Sequence, residues 1–376
     1  HVRQAAECID YTVREDYSPN GDAWNYTTHD MARSKAWRWG EVAIGGISDI
    51  DQLLCFGIGL WNKRDPIIKE RYFGLTNSEG NHGEDVKELY YYLDSTPTHS
   101  YMKMLYKYPQ REFPYQELLS VNRQRSRKEE EYEIIDTGIF DHDEYFDVFI
   151  EYAKADVADI LIKITVHNRS AVPESLHILP TLWFRNTWSW GKNSNKPNLS
   201  QVGSNCIRIS HKRLNINNLY FEEGNPLFCD NVTNSARLYG IHDATAYPKD
   251  GINDFLIHAK PSVNPACEGS KAAVNADVTV EPGKPYVLRL RLTDKEPDDA
   301  FKDFDSLFAT KQKEADEFYA EIQKTIKDAD ERNIQRQALA GMLWNKQYYY
   351  YDVQQWLDGD PAGPPPPKQR LDGRNS

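Results

Sequence analysis

The short signatures that most directly betray chemistry are missing from this sequence. There is no GxGxxG, no GxxxxGK[ST], no GxSxG elbow and no HExxH, which removes the common dinucleotide, P-loop, α/β-hydrolase and zincin readings. Cysteine is scarce. Cys8, Cys55, Cys206, Cys229 and Cys267 are odd in number, far apart and without a CxxC pair, a pattern that fits a reducing compartment and makes a cytoplasmic protein the expectation. No uninterrupted apolar run nears the roughly 20 residues needed to span a bilayer, so no membrane partner is expected. Basic charge is also short: 45 Lys and Arg against 57 Asp and Glu leave a net charge of -12, which would repel a phosphate backbone. The one basic cluster, NRQRSRK at 122–128, runs straight into EEEYE and reads as a solvated turn or helix face, not a nucleic-acid patch. The first residues, HVRQAAECID, carry neither an apolar signal core nor an initiating Met, so the chain is expected to begin inside a longer protein.

What the sequence does hold is aromatic surface. Aromatic residues make up 12% of the 376, with 23 Tyr, 14 Phe and 9 Trp. Rings of this kind suit carbohydrate, because sugar C–H faces stack on them while the hydroxyls need polar neighbours. An aromatic-rich core accounts for the composition equally well. Hydrophobic residues at 40% and charged residues at 27% describe a globular chain, and the length allows two or three domains.

From about residue 145 to 300 the pattern has period two. Phe146, Val148, Ile150 and Tyr152 fall on one face, as do Ile160, Ile162, Ile164 and Val166 opposite Lys163 and Thr165. Around a Pro-Gly turn, Tyr286, Leu288, Leu290 and Leu292 are expected inward, with Arg289 and Arg291 outward. Alternating strands without helical crossovers predict a mainly β fold of antiparallel sheets packed as a sandwich. Near Pro297 the period changes. Phe301, Phe304, Leu307, Phe308, Ala315, Phe318, Ile322 and Ile326 mark one stripe of a long helix. In a second helix over 331–357, Ala338, Met342, Leu343, Trp344, Tyr348 and Tyr349 wrap much of the circumference, as though its neighbours were missing. A polyproline stretch, DPAGPPPPKQR, follows. These changes place a sandwich domain at 1–297, a helical linker at 298–330 and the start of a truncated helical domain at 331–376.

Three stretches are candidate sites. In LTNSEGNHGEDVKE, Gly80 and Gly83 allow a tight path, and Asn77, Glu79, His82, Glu84 and Asp85 offer charges and hydrogen-bonding groups. Adjacent Glu84 and Asp85 project differently and make a poor catalytic pair, so the stretch is either a functional lining or a polar surface loop. In LPTLWFRNTWSWGKN, Arg185, Asn186, Trp188 and Trp190 follow an apolar strand and could form a sugar-binding lip or pack beneath the sandwich. In the third, Trp37 and Trp39 offer another platform, while His29 and Asp30 suit a capped turn better than a metal pair. Asp141, Asp143, Glu144 and Asp147 lack the glycine and spacing of a helix-loop-helix calcium site and read as a solvated lead into a strand. No metal or cofactor is expected.

The segments TVREDYSPNGDAWNY, ARSKAWRWGE, ISDIDQLLCFGIGLWNKRDPIIKERYFGLTNSEGNHGEDVKE, YLDSTPTHSYMKMLYKYPQ, HILPTLWFRNTWSWG and KDGINDF together resemble the N-terminal portion of microbial glucosidases in or bordering glycoside hydrolase family 63. The resemblance covers the chain from about Thr12 to Ser376. It implies a β-sandwich (super-sandwich), linker helices and an (α/α)6 toroid, and an inverting hydrolysis by two carboxylates roughly 6.5–9.5 Å apart. It implies that both carboxylates sit in the toroid, beyond Ser376, so that no catalytic residue lies in this chain and the chain alone would be inactive. The expected ligand is an oligosaccharide or glycoside, and the expected partner is the toroid. Trp39, Asn77, Glu79, His82, Glu84, Arg185, Trp188 and Trp190 are then candidate substrate-binding residues, assigned on chemistry and position. The alternative is a non-catalytic carbohydrate-binding or scaffold module.

Overall fold

A computed structural model describes residues 2–3, 29–37, 41, 43–75, 80–81, 85–189, 195–345, 353–359, 365–366, 368 and 371. The strands in its first half are β1 (Val2–Arg3), β2 (Ile44–Asp49), β3 (Leu54–Trp61), β4 (Gly74–Leu75), β5 (Asp85–Val86), β6 (Tyr90–Ser95), β7 (Tyr101–Pro109) and β8 (Tyr145–Asp156). Then come β9 (Asp159–Asn168), β10 (Glu174–Phe184), β11 (Asn198–Val202), β12 (Cys206–Ser210), β13 (Asn218–Phe221), β14 (Asn225–Cys229), β15 (Glu268–Gly269), β16 (Lys271–Val280) and β17 (Tyr286–Thr293). The helices are α1 (His29–Ala32), α2 (Tyr115–Gln124), α3 (Ser235–Tyr239), α4 (Gly251–His258), α5 (Phe304–Ile322), α6 (Ala329–Trp344) and α7 (Val353–Asp358).

Two antiparallel sheets carry the fold. One has six strands in the order β1-β2-β3-β10-β16-β14, the other nine in the order β15-β11-β12-β13-β17-β9-β8-β7-β6; β4 and β5 form a separate ribbon. Alternation in sequence becomes alternation in space because successive strand side chains point to opposite faces. Phe146, Val148, Ile150 and Tyr152 of β8, Ile160 to Val166 of β9 and Leu288 to Leu292 of β17 meet Leu54, Phe56, Ile58 and Leu60 of β3 and Leu176, Ile178, Leu182 and Phe184 of β10 in one core. Phe56 and Tyr152 span the two layers edge to face, with ring centroids 6.1 Å apart. The sandwich expected from the alternation is what the chain forms.

The outer face of the nine-stranded sheet is not left to solvent. Phe304, Phe308 and Ala315 of α5 bury against Tyr101, Ala153 and Leu161 on that face, and the Tyr319 hydroxyl donates to the Ser95 carbonyl at 2.6 Å. Arg291 is therefore outward from the core yet only 6% exposed, forked onto Asp159 at 2.8 Å by both Nε and a terminal nitrogen and bonded to Asp303 at 2.6 Å. The expected stripe of α5 is rotated: Tyr319 is buried, while Phe318 and Ile322 are exposed.

The helix expected to lack neighbours has one covered face. Trp344 is 1% exposed, joins the sandwich core with Ala340, stacks on Tyr92 at 5.0 Å and donates its indole N–H to the Asp94 carbonyl at 3.0 Å. Arg336 grips the Asp94 carboxylate and also Asp316, at 2.7 Å. Met342 and Ile334 stay exposed. The apolar residues that seemed to wrap the helix divide into one docked face and one bare face, and Tyr348 and Tyr349 lie outside the described residues.

Candidate functional site

Of the candidate residues, Arg185 and Trp188 are described and lie at one end of the sandwich, while described parts of the LTNSEGNHGEDVKE stretch lie at the other. Arg185 follows β10 and donates to the carbonyls of Gln52 at 3.0 Å and Asp51 at 3.1 Å, in the turn before β3. Trp188 packs half-buried against the core. The β4–β5 ribbon lies at the other end of β3. Leu75 and Phe73 pack with Phe113, Leu118, Ile134 and Ile139, while Asn81 donates to the carbonyls of Ser126 and Glu129 at 3.3 and 3.0 Å. That end is fastened by Asn62, which donates to the carbonyls of Pro109 and Arg111, both at 2.8 Å. The eight residues of β3 separate the two patches by roughly 25 Å, so they do not form one pocket within the sandwich. Trp39, Asn77, Glu79, His82, Glu84 and Trp190 lie outside the described residues. Of the third stretch, His29 and Asp30 open α1 and Trp37 is buried.

Acidic clusters resolve as ion pairs. Asp147 takes Lys107 at 2.7 Å and Arg169 at 2.6 Å, and Glu144 pairs with Arg111 at 3.2 Å. Among the described residues the one group spaced to hold a metal is Asp85, Glu131 and Glu133. Its centre is filled by the Lys87 ammonium, 2.5 Å from Asp85 and 2.7 Å from each glutamate. Burial would lower the pKa of Lys87, but the three carboxylates outweigh it and hold the pKa above the usual lysine value.

A different site emerges on the outer face of the six-stranded sheet. Strand alternation sends Thr181 and Trp183 of β10 and Lys271 of β16 to that face, with Trp183 paired to Lys271 and Thr181 paired to Gly57 of β3. Gly57 lets the segment carrying Glu41 and Ala43 lie directly on the sheet, since a Cβ there would come within 2.6 Å of the Ala43 Cβ. Residues from seven separate places line the resulting pocket: Glu41, Glu70, Arg71, Thr181, Trp183, Asn231, Lys249 and Lys271 are among them. Helix α4 and the loop ahead of it cover the neighbouring surface, where Ile252 packs on Leu179, Cys229 and Ala273.

The charges in this pocket are organised in pairs. Lys249 holds Glu41 at 2.6 Å and donates to the Lys35 carbonyl at 2.6 Å; Lys271 holds Glu70 at 2.9 Å. Burial pushes the Lys249 ammonium below its ordinary range against the pull of Glu41, with Arg71 and Lys271 adding to the depression. Burial would raise the Glu70 carboxyl, yet Lys271 above all, with Lys249 and Arg71, holds it below the ordinary carboxylate range. A carboxylate kept ionised in this way is a poor proton donor, so the arrangement suits binding and orientation better than acid catalysis.

The pocket touches the strand-end candidate. Asn186 donates to the Asn231 carbonyl at 2.8 Å, and Asn231 donates to the Phe184 carbonyl at 2.9 Å, tying the segment that carries Arg185 and Trp188 to the pocket wall. Sequence reading missed Glu41, Glu70, Lys249 and Lys271 because no local motif joins residues 41 to 271. The outward phase of Thr181 and Trp183 in an otherwise apolar strand was the available signal.

No family model matches this sequence. It is 39% identical over 414 residues to an uncharacterized protein of Saccharomyces cerevisiae, an alignment covering 97% of this chain and 38% of that protein. The chain thus spans well under half the length of the relative it matches. Among solved structures it is similar to a polysaccharide lyase, at 12% identity and a TM-score of 0.25 over 44% of this chain and 22% of the other. It is also similar to a GalM/aldose epimerase homologue from C. elegans, at 8% identity and a TM-score of 0.30 over 72% and 86%. Likenesses this loose carry no argument about what the chain does.

Proposed function

We propose that this chain is the sandwich part of an inverting, exo-acting glycoside hydrolase of α-glucosidase type. In this reading it shapes access of an oligosaccharide or glycoside, while the carboxylates that cleave it lie in a helical domain after residue 376. Arg185 and Trp188, with Trp190 beside them in sequence, are the proposed lip at one end of the sandwich, and Trp39 is proposed as a further platform for the sugar. Asn77, Glu79, His82 and Glu84 are proposed as hydrogen-bonding groups to the substrate. The observation that carries the reading is the pocket below Trp183: an indole ring set among fixed hydrogen-bonding groups, with Glu41 and Glu70 each tied to a lysine. An aromatic ring beside oriented polar groups suits a sugar hydroxyl, and Glu41 and Glu70, each locked to a lysine, are poor candidates for the acid and base of glycosidic cleavage.

Glucose release from α-glucosyl disaccharides tests this, measured with this chain and with a chain extended through the following domain. Hydrolysis by the longer chain alone is expected, with Arg185→Ala and Trp188→Ala raising its KM more than they lower kcat. Turnover by the present chain would overturn the proposal. The second reading, a non-catalytic carbohydrate-binding module, predicts glycan binding by this chain and hydrolysis by neither.

A further inference from the structure

The pocket below Trp183 has room for little. Its cavity of about 20 Å³ accommodates one oxygen-sized group, since a buried water needs at least about 10–15 Å³. Two residues of its wall each carry a buried polar atom that, among the described residues, has no hydrogen-bond partner: the indole N–H of Trp183 and the side-chain carbonyl oxygen of Asn231. Trp183 is 6% and Asn231 1% exposed, so water outside the pocket does not serve them. The Asn231 amide cannot turn to hide its oxygen, because its side-chain nitrogen is committed to the Phe184 carbonyl at 2.9 Å while its backbone N–H is held by the Ser270 hydroxyl at 2.9 Å. Each unmet group costs free energy that native proteins rarely leave uncompensated.

The two atoms ask for opposite things. Trp183 can only donate, and the Asn231 oxygen can only accept. An anion in the cavity would satisfy the indole and be repelled by the amide oxygen; a cation would do the reverse. A neutral O–H group does both, accepting from Trp183 and donating to Asn231. Both flanking carboxylates are already matched, Glu41 by Lys249 and Glu70 by Lys271, and the Arg71 guanidinium adds a further positive charge to the wall, so the case against an anion rests on the Asn231 oxygen. Glu70 keeps a quarter of its side-chain surface exposed, so the wall opens to solvent there and a hydroxyl borne by a larger molecule can enter. We infer that the cavity between Trp183 and Asn231 is a site for one neutral hydroxyl group, filled by water in the free protein and by a hydroxyl of a polyol ligand when one binds. The choice of sugars as ligand rests on the functional reading above; the hydroxyl chemistry does not.

Calorimetric titration of the chain with glycerol, glucose and inorganic phosphate tests the site. Glucose and glycerol are expected to bind and phosphate not. Trp183→Phe, which keeps the ring and removes the N–H, is expected to weaken polyol binding about fivefold, the size of one lost hydrogen bond. Thr181→Leu, which fills the cavity from the other strand position on its wall, is expected to abolish binding and serves if Trp183→Phe does not fold. Circular dichroism and the melting midpoint identify folded variants. Phosphate binding in place of polyols, unaltered polyol binding in the two variants, or no polyol binding at all would each overturn the inference. Binding that survives Trp183→Phe but is lost in Trp188→Ala sinks this site and leaves the carbohydrate reading standing. Binding of glycerol alone, with no sugar, keeps the site and removes the carbohydrate reading.

Discussion

Replacing Trp344 by alanine asks whether α6 is part of the sandwich or an appendage. The side chain is 1% exposed, stacked on Tyr92 at 5.0 Å and hydrogen-bonded to the Asp94 carbonyl at 3.0 Å. A buried tryptophan hides about 150–250 Å², which at about 25 cal/mol per Å² is roughly 4–6 kcal/mol. Because the site can partly collapse, large-to-small aromatic substitutions usually cost about 3–5 kcal/mol. The lost indole hydrogen bond is included in that range, and Trp344→Phe should recover most of the packing while still losing about 1 kcal/mol. The control is Met342→Ala two residues earlier, 72% exposed and expected to change stability by less than about 0.5 kcal/mol. Urea denaturation followed by near-UV circular dichroism, which reports the packed aromatics of the sandwich, gives all three numbers. A cost below about 1 kcal/mol for Trp344→Ala, or equal effects of Trp344→Ala and Met342→Ala, would refute the docking of α6 on the core.

Three further outcomes follow from the buried charges. Burial pushes the Asp65 carboxyl from 3.8 up to about 6, against the attraction of Lys69 and the hydrogen bond from Tyr108, with Glu88 adding to the rise. A folded-state pKa above the unfolded value means that the native state binds the extra proton, so stability should fall as pH climbs from about 4 through 6, by roughly 3 kcal/mol. Asp65→Asn should flatten that slope in urea melts at pH 4 and pH 7, and parallel profiles for the two proteins would contradict the linkage. Lys249→Met removes the ammonium that holds Glu41 at 2.6 Å and should cost about 3–5 kcal/mol, whereas the double change Glu41→Gln with Lys249→Met should restore most of it. An additive double variant would show the pair to be uncoupled. Lys87→Met removes the ammonium from between Asp85, Glu131 and Glu133, whose carboxylate oxygens lie within 4.8 Å of one another. It should lower the melting midpoint and let calcium raise it again; a variant indifferent to calcium would show that the three carboxylates relax apart.

How much of this was legible beforehand depended on distance along the chain. β8, β9 and β17 could be read directly, because Phe146 to Tyr152, Ile160 to Val166 and Leu288 to Leu292 obey the two-residue period that a strand with one buried face imposes. Long apolar spacing likewise announced α5 and α6. The second layer over the sheets was hidden. Arg291 had the phase of a solvent-facing residue and its burial depends on α5, and Trp344 had the look of an unpartnered residue until β6 supplied Tyr92. Periodicity tells which residues share a face; it does not tell what comes to lie on it.

The same limit governs the site. Arg185 and Trp188 stood out because they are neighbours in sequence, whereas the ring count did not separate sugar-compatible surface from core, and rings such as Tyr101, Tyr106, Tyr108 and Tyr152 are buried. By itself the sequence determined the antiparallel sandwich, the inward residues of its strands and the two helices that follow, since all of these are set by local alternation and burial. Tertiary structure alone decided that Glu41, Glu70, Lys249 and Lys271 share a pocket with Trp183 and Asn231. Long-range strand pairing brings residues 41 to 271 together there, and no short-range pattern encodes such a meeting.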